Sequence, residues 1–309
     1  MYKVLIADKI PESALDLIKS NDKFAFKAEN GLSEPELIQQ ISEYHAIIVR
    51  SATKITSEVI NAGKDLKVIG RAGSGLDNID LNSAKKRGIE VFNTPGSNSQ
   101  SVAELTISSV FNLARNLFHA YNSLKNKQWN KSHFLGSEIG GKTLGIVGFG
   151  NIGQKVGEMA AALGMNILVF KKHTLQRSPG YEFEMTDIDT LLVKSDFVSL
   201  HLPKTEQTTQ LIGLSELKKM KHSAFLINCA RGGIVLEHDL LKALNHNIIS
   251  GAALDVFESE PPLNYDIIEH PKVIATPHIG GATIESQKRV GEDIVVSVMD
   301  YLEKKYVFI

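Results

Sequence analysis

Near the middle of the chain, Gly148-Phe149-Gly150-Asn151-Ile152-Gly153 sits between a β-branched apolar run, TLGIVG, and an Ala-rich segment with helical spacing, Gln154–Leu163. Few folds place a glycine turn of this form between a strand and a helix. Gly148 allows the tight turn, Gly150 lets the backbone approach a ligand, and Gly153 lets helix and strand pack closely. The helix N-terminus then offers unpaired N–H groups and the positive end of a dipole, which suits a pyrophosphate. The pattern therefore commits this region to a parallel α/β sheet and points to a bound dinucleotide.

The rest of the chain repeats that alternation. YKVLIAD, helix Pro11–Ser20, KFAFKA, helix Ser33–Ser42, AIIVRS, LKVIGRAGSG and IEVFN precede a turn-rich break, TPGSNSQ, at residues 94–100. A long helix is expected from Ser101 to Lys125, with Val102, Leu105, Val110, Leu113, Leu117 and Phe118 at three- and four-residue steps. After the glycine loop come NILVF, FVSLHLP, AFLINCA, GAALDVF and KVIATP, then a last helix, Thr283–Leu302. Strand-then-helix repeats predict α/β architecture with two doubly wound parallel-sheet, Rossmann-like domains, because the phosphate loop starts a second series afresh. The expected dinucleotide-binding domain runs over 98–282. It is inserted in a discontinuous, flavodoxin-like substrate-binding domain of residues 1–97 plus 283–309.

Composition excludes several classes. The 309 residues carry a formal net charge of -1, with 43% hydrophobic and 22% charged residues, so nothing overall suggests nucleic acid or an anionic membrane as partner. One cysteine, Cys229, excludes an internal disulfide framework and a Cys-cluster zinc site, and no metal is expected. The N-terminus reads directly as a strand, without a signal core, and a cytoplasmic location is expected.

Past NILVF, where an acid usually bonds the ribose of NAD, stand Lys171, Lys172 and His173. Lysine donates only, so it cannot accept from a 2′-hydroxyl but can pair with a 2′-phosphate. The expected cofactor is NAD, with NADP open because of Lys171. The alternative is that the lysines are solvated, or that Glu182 or Glu184 reaches the ribose.

Arg231, Glu260 and His278 each follow an apolar run that reads as a strand. The C-terminal ends of strands line the crevice of a doubly wound sheet, so residues distant in sequence converge there. Interconverting a 2-hydroxy and a 2-oxo acid needs a hydride carrier and a group that exchanges a proton with the substrate oxygen. His278 suits the second task, Glu260 would orient it and favour its protonated form, and Arg231 would hold the substrate carboxylate. His133, His201, His222 and His238 read as structural or surface residues.

These motifs together resemble the D-isomer-specific 2-hydroxyacid dehydrogenases over essentially the whole chain. The resemblance is carried by VRSATKIT (49–56), GRAGSGLDNID (70–80), SVAELT (101–106), GKTLGIVGFGNIG (141–153), NCARGGIV (228–235), ALDVFESEPP (253–262) and TPHIGGAT (276–283). The first two favour the branch acting on 3-phosphoglycerate, at the first step of serine synthesis. The alternatives are a glyoxylate or hydroxypyruvate reductase and a non-enzymatic dinucleotide sensor.

The resemblance implies catalytic roles for Arg231, Glu260 and His278. For the cofactor it implies contacts from Ser74, Gly148, Gly150, Asn151, Ile152, Gly153, Lys171, Leu202, Pro203, Cys229, Ala230, Arg231, Asp255, His278, Gly280 and Gly281. Of these, Asp255 would meet the nicotinamide amide. For a phosphorylated substrate it implies Arg50, Ser51, Arg71, Gly73, Ser74, Gly75, Asn98 and Lys131, the last reaching in from a partner subunit. It also implies a homodimer built on the long helix and the arm through Trp129. Leu202 and Leu236 replace more polar residues, and at Leu202, near the expected nicotinamide ribose, the loss of one cofactor hydrogen bond is expected. The chain ends before any serine-binding regulatory domain, and insensitivity to serine is expected.

Overall fold

A computed structural model describes residues 1–172 and 180–304, so His173 lies outside the described residues. The chain divides into two compact units, Met1–Asn98 with Gly281–Ile309, and Ser99–Gly280.

The first unit comprises β1 (Tyr2–Ile6), α1 (Glu12–Lys19), β2 (Phe24–Ala28), α2 (Glu34–Gln40), β3 (Ala46–Val49), α3 (Ser57–Ala62), β4 (Val68–Arg71), α4 (Leu81–Lys86) and β5 (Glu90–Asn93). Its strands pair in parallel in the order β2-β1-β3-β4-β5. All four residues of β3 are buried, as expected of a central strand covered on both faces. The chain's final helix also belongs to this unit.

The second unit begins with α5 (Ser99–Arg115) and α6 (Leu117–Lys125). It continues with β6 (Thr143–Val147), α7 (Asn151–Ala162), β7 (Asn166–Phe170), β8 (Glu184–Met185), α8 (Ile188–Lys194) and β9 (Phe197–Leu200). Then come α9 (Leu214–Leu217), β10 (Phe225–Asn228), α10 (Glu237–Asn245), β11 (Gly251–Leu254), α11 (Asp266–Glu269) and β12 (Val273–Ala275). Seven parallel strands run in the order β12-β11-β10-β9-β6-β7-β8, and the winding reverses between β6 and β9. Two apolar layers fill the two faces. One is built on Val198, Leu200, Leu226 and Leu254, and the other on Ile146, Val169, Phe197 and Ile227.

The last helix, α12 (Ile284–Leu302), covers the first sheet. Thr283 caps it by accepting the Ser286 N–H, and Val290, Ile294, Val295, Val298 and Leu302 form its buried face. Gly70 makes room for this helix, since a Cβ there would lie 2.7 Å from Val298.

Both sheets are the doubly wound parallel kind that the strand-helix alternation predicts. The expected single helix over Ser101–Lys125 is instead two helices. Asn116 breaks it in a left-handed conformation (φ 53°), which asparagine tolerates, and the Phe118 N–H turns to the Asn112 side chain at 2.9 Å. Val102, Val110 and Leu113 reach the core before the break. Leu117 and Phe118, after it, are exposed.

Candidate active site

The glycine loop lies where the second sheet reverses its winding, the position at which open parallel sheets bind ligands. Gly148 has φ 99°, and a Cβ on it would come within 2.4 Å of the His201 carbonyl and 2.8 Å of Leu202. Gly153 packs so closely that a Cβ would meet the Gly148 carbonyl at 2.2 Å. Over Gly150 nothing lies within 4 Å, so its backbone is open to approach. The helix starts at Asn151, three residues earlier than the sequence pattern suggests, and no side chain caps it. Its first N–H groups therefore have no side-chain acceptor, as a pyrophosphate site requires. These residues fit a bound dinucleotide.

Lys171 follows β7 directly and is half-buried; among the described residues it forms no ion pair. Lys172 donates to the Gln207 side chain at 2.8 Å. Glu182 is exposed, and Glu184 lies 3.8 Å from the Lys194 ammonium.

Arg231, Glu260 and His278 follow β10, β11 and β12, and all lie in the second unit. His278 Nδ1 is 2.6 Å from Glu260 Oε2. Ionised carboxylate only accepts, so the proton of this bond sits on Nδ1 and the Nε2 edge is left for a reactant. The Glu260 hydrogen bond raises the pKa of His278, against burial; the charges of Glu260 and Asp255 add to the rise, while Arg231 opposes it. Burial is the largest single influence on Glu260 and works upward. The hydrogen bonds from His278 and the Phe257 N–H, with the charges of His278 and Arg231, outweigh it and lower the Glu260 pKa. The arrangement stabilises an imidazolium beside a carboxylate, with a guanidinium near both.

Each strand end is fastened by side chains that the sequence reading did not single out. Asn228 accepts from the Ala230 N–H at 3.1 Å and donates to the Arg231 carbonyl at 3.0 Å, which fixes the Arg231 turn. Glu237 and Glu258 each accept the other's backbone N–H, at 2.9 and 2.5 Å, and so tie the start of α10 to the Glu260 loop. Thr276 donates to Asp255 at 2.6 Å. Asn228 and Thr276 stand inside the motifs NCARGG and TPHIGG, which was the available signal. Cys229 is buried; burial, with the nearby charge of Asp255, pushes its thiol up to about 12, so it stays neutral.

Residues 107–280 match the family model described as D-isomer specific 2-hydroxyacid dehydrogenase, NAD binding domain. The chain is similar to a hydroxypyruvate reductase of Thermotoga maritima, with 41% identity over 304 residues, covering 97% of this chain and 98% of that protein. The chain belongs to the D-isomer-specific 2-hydroxyacid dehydrogenases. It is also similar to a D-3-phosphoglycerate dehydrogenase of Synechocystis, with 42% identity over 303 residues, covering 98% of this chain. This chain spans only 54% of that relative's length. Among solved structures, a glyoxylate reductase from Paecilomyes thermophila superimposes with a TM-score of 0.90 at 28% identity, over 99% of this chain and 97% of that one.

The first unit of this 2-hydroxyacid dehydrogenase holds several more of the residues singled out from sequence. Arg50 and Ser51 open a turn that Asp8 and Asn78 lock in place. Buried Asp8 accepts the Arg50 N–H at 2.5 Å and the Thr53 hydroxyl at 3.0 Å, and Asn78 donates to the Arg50 and Thr53 carbonyls at 2.7 and 2.6 Å. Arg71 lies so closely over Gly73 (φ 142°) that a Cβ there would fall 1.6 Å from its Nη1. Next to it, the Ser74 hydroxyl donates to Asn98 at 2.9 Å, and the Ser74 carbonyl accepts from Asn93 at 2.6 Å. Gly75 continues the same half-buried loop, and Gly281 packs 3.2 Å (as a Cβ) from the Asn98 side chain. Lys131, in the second unit, stands exposed on a single 3-10 turn. Leu202 is half-buried and Pro203 exposed beside the glycine loop, while Ala230 and Gly280 are buried beside Arg231 and His278. Among the described residues no group of three or more His, Cys, Asp or Glu could hold a metal ion, and no helix is long and apolar enough to cross a membrane.

Proposed function

We propose that the protein interconverts a 2-hydroxy acid and its 2-oxo acid, with 3-phosphoglycerate and 3-phosphohydroxypyruvate as the pair, which would serve serine synthesis. The observation that carries the chemistry is the 2.6 Å His278–Glu260 contact beside Arg231. In reduction, protonated His278 donates from Nε2 to the substrate oxygen as the carbonyl becomes a hydroxyl. In oxidation the neutral ring accepts that proton at Nε2. Glu260 holds Nδ1–H in both directions and stabilises the charged ring. The guanidinium fork of Arg231 anchors the substrate carboxylate. A nicotinamide dinucleotide, when bound, supplies the hydride chemistry, and Gly148, Gly150, Asn151, Ile152 and Gly153 would hold its pyrophosphate.

Arg50 and Arg71 support a phosphorylated substrate, because a phosphate dianion removed from water must be paired. The Ser74–Gly75 backbone and Asn98 are proposed to take its carboxylate end. The second reading is a hydroxypyruvate or glyoxylate reductase. It is favoured by the similarity to the Thermotoga hydroxypyruvate reductase over 97% of this chain and 98% of that protein and by Lys171, a partner suited to the 2′-phosphate of NADP. A homodimer is proposed on the exposed apolar side chains of α6, Leu117, Phe118, Tyr121 and Leu124, together with Trp129.

Initial rates with 3-phosphohydroxypyruvate and with hydroxypyruvate, each with NADH and NADPH, test the assignment. Preference for the phosphorylated acid is the expected result. Preference for hydroxypyruvate would transfer the protein to the second reading.

A further inference from the structure

The turn that follows β3 is gripped from both sides of its backbone. Ile6 and Ile48 are partners across β1 and β3, so Asp8 and Arg50, each two residues further on, meet at the strand ends. Asp8 is buried, as is Thr53. Asp8 Oδ2 accepts the Arg50 N–H at 2.5 Å and the Thr53 N–H at 3.2 Å, and Oδ1 accepts the Thr53 hydroxyl at 3.0 Å. From the other side the Asn78 side chain donates to the Arg50 carbonyl at 2.7 Å and to the Thr53 carbonyl at 2.6 Å. A parallel bridge between Ile55 and Ile79 keeps Asn78 against the turn. Asp255 fastens residues 276–280 in a comparable way, accepting from the Thr276 hydroxyl and from the Ile279 and Gly280 N–H groups.

The first and last residues of the turn thus have their backbone groups engaged, and the two between do not. Among the described residues the N–H groups of Ser51 and Ala52 donate to nothing, and both residues are exposed. Successive N–H groups in a turn make a concavity suited to an anion. Beside them, and among the described residues, the Arg50 guanidinium forms no ion pair and makes one long contact, with the Lys9 carbonyl at 3.5 Å. A carboxylate behind such a seat opposes an anion by its charge, so its use there lies in its hydrogen bonds. We propose that Asp8 and Asn78 are positioning residues that hold the Arg50–Thr53 turn as a seat for an anionic group of the substrate. Asp8 takes up the N–H groups at the two ends of the turn and Asn78 the carbonyls. What remains to face outward is the pair of N–H groups and the Arg50 side chain.

The kinetic part of the test rests on the reading of Arg50 as a partner of the substrate phosphate, and the exchange part does not. The test uses the full chain with Asp8→Ala, Asp8→Asn, Asn78→Ala and Arg50→Ala. An amide at position 8 keeps the geometry without the charge. Its oxygen accepts the two N–H groups and its NH2 donates to the Thr53 hydroxyl, which turns to the Ala7 carbonyl 3.4 Å away. Amide hydrogen exchange over residues 49–56 is followed by mass spectrometry without substrate. KM and kcat are measured with 3-phosphohydroxypyruvate and with hydroxypyruvate, and NADH affinity by fluorescence. Asp8→Ala and Asn78→Ala are expected to speed exchange over 49–56. They are expected to raise KM for 3-phosphohydroxypyruvate by about fivefold to twentyfold, as one charge-assisted contact in an exposed seat is weakened. The kcat, the KM for hydroxypyruvate and NADH affinity stay within about twofold, as for a loss of ground-state binding alone. Asp8→Asn restores both exchange and KM.

An Asn78→Ala protein that exchanges and binds as the parent overturns the proposal, even if Asp8→Ala fails to fold. An Asp8→Asn protein as impaired as Asp8→Ala also overturns it, and assigns Asp8 a role through its charge. Equal rises in KM for the two acids overturn it as well, because they mark general damage to the unit and not to an anion seat. Arg50→Ala keeps the two levels apart. An unchanged KM for 3-phosphohydroxypyruvate in that variant refutes the phosphate reading, and the seat falls with it. A raised KM in Arg50→Ala, with parent-like Asp8→Ala and Asn78→Ala, overturns the positioning roles alone.

Discussion

Glu260→Gln isolates the carboxylate that accompanies His278 while keeping the size of the side chain. The contact is 2.6 Å, within the range of a charge-assisted hydrogen bond. A hydrogen bond to a charged group is worth roughly 1.5–3 kcal/mol. The His278 and Glu260 side chains are 46% and 37% exposed, so solvent screens the pair and the lower half of that range applies. The expected loss in kcat is therefore about tenfold to fortyfold at neutral pH. The pH dependence has a definite sign. Glu260 raises the His278 pKa, so its removal lowers it. Reduction needs the protonated ring, and its alkaline limb should move to lower pH. Oxidation needs the neutral ring, and its acid limb should move the same way. Initial rates from pH 5 to 10 in both directions, with kcat and kcat/KM fitted separately, make the measurement. Limbs that stay in place, or that move in opposite directions, would refute the assignment of Glu260 as the partner of His278.

Arg231→Ala removes the carboxylate anchor and should reduce kcat/KM by at least about a hundredfold, roughly 2.7 kcal/mol, with NADH affinity measured by fluorescence much less affected. Gly153→Ala places a methyl group against the Gly148 carbonyl, 2.2 Å from where its Cβ would sit, and should destabilise the fold by about 1–3 kcal/mol in urea unfolding and weaken NADH binding. If Lys171 carries a 2′-phosphate, Lys171→Asp should lower affinity for 2′,5′-ADP in calorimetry while leaving 5′-ADP little changed; equal losses for both would release Lys171 from that role. The ion pair also bears on stability. Glu260, held below its ordinary value, stabilises the fold above pH 4.5, and this is lost as pH falls through its lowered pKa. His278, held above its ordinary value, contributes below pH 6.5, and this is lost as pH rises through its raised pKa. The difference in Tm between the parent and Glu260→Gln should thus be largest between pH 4.5 and 6.5.

The sheets were legible because parallel strands are apolar on both faces and carry their own signal. AIIV, FVSL and GAAL are buried at every position, and each stands out as a short run between helical stretches. Helix boundaries were less legible. The apolar spacing from Val102 to Phe118 continues through Asn116 without interruption, and a single residue's left-handed dihedral leaves almost no trace in such a pattern. Similarly, α7 starts at Asn151 because the glycine loop itself supplies the first turn, and periodicity detects a helix only where its apolar face begins. The short helices α3 and α4 are started by caps at Thr56 and Asp80 and contribute only two and one buried residues, too few for a period to show.

The candidate site divides along a similar line. Arg231, Glu260 and His278 could be read from sequence because each is an ionisable group just past an apolar run, and the topology of a doubly wound sheet converts that position into convergence. What could not be read is how each is held. Asn228 serves its own loop by bonding two and three residues ahead, whereas Asp255 gathers a turn more than twenty residues away on the neighbouring strand. The pairing of β11 with β12 brings those two segments together, with the Thr276 N–H bonded to the Leu254 carbonyl, and no local pattern announces it. A buried carboxylate with three donors is costly to assemble unless all three are present, so the turn and its anchor must form together. This explains why residues 276–280 include glycine at the position closest to Asp255 and a hydroxyl where an apolar side chain would otherwise serve. The reactive residues need only the right chemistry at a strand end, but their supports need a particular partner in space.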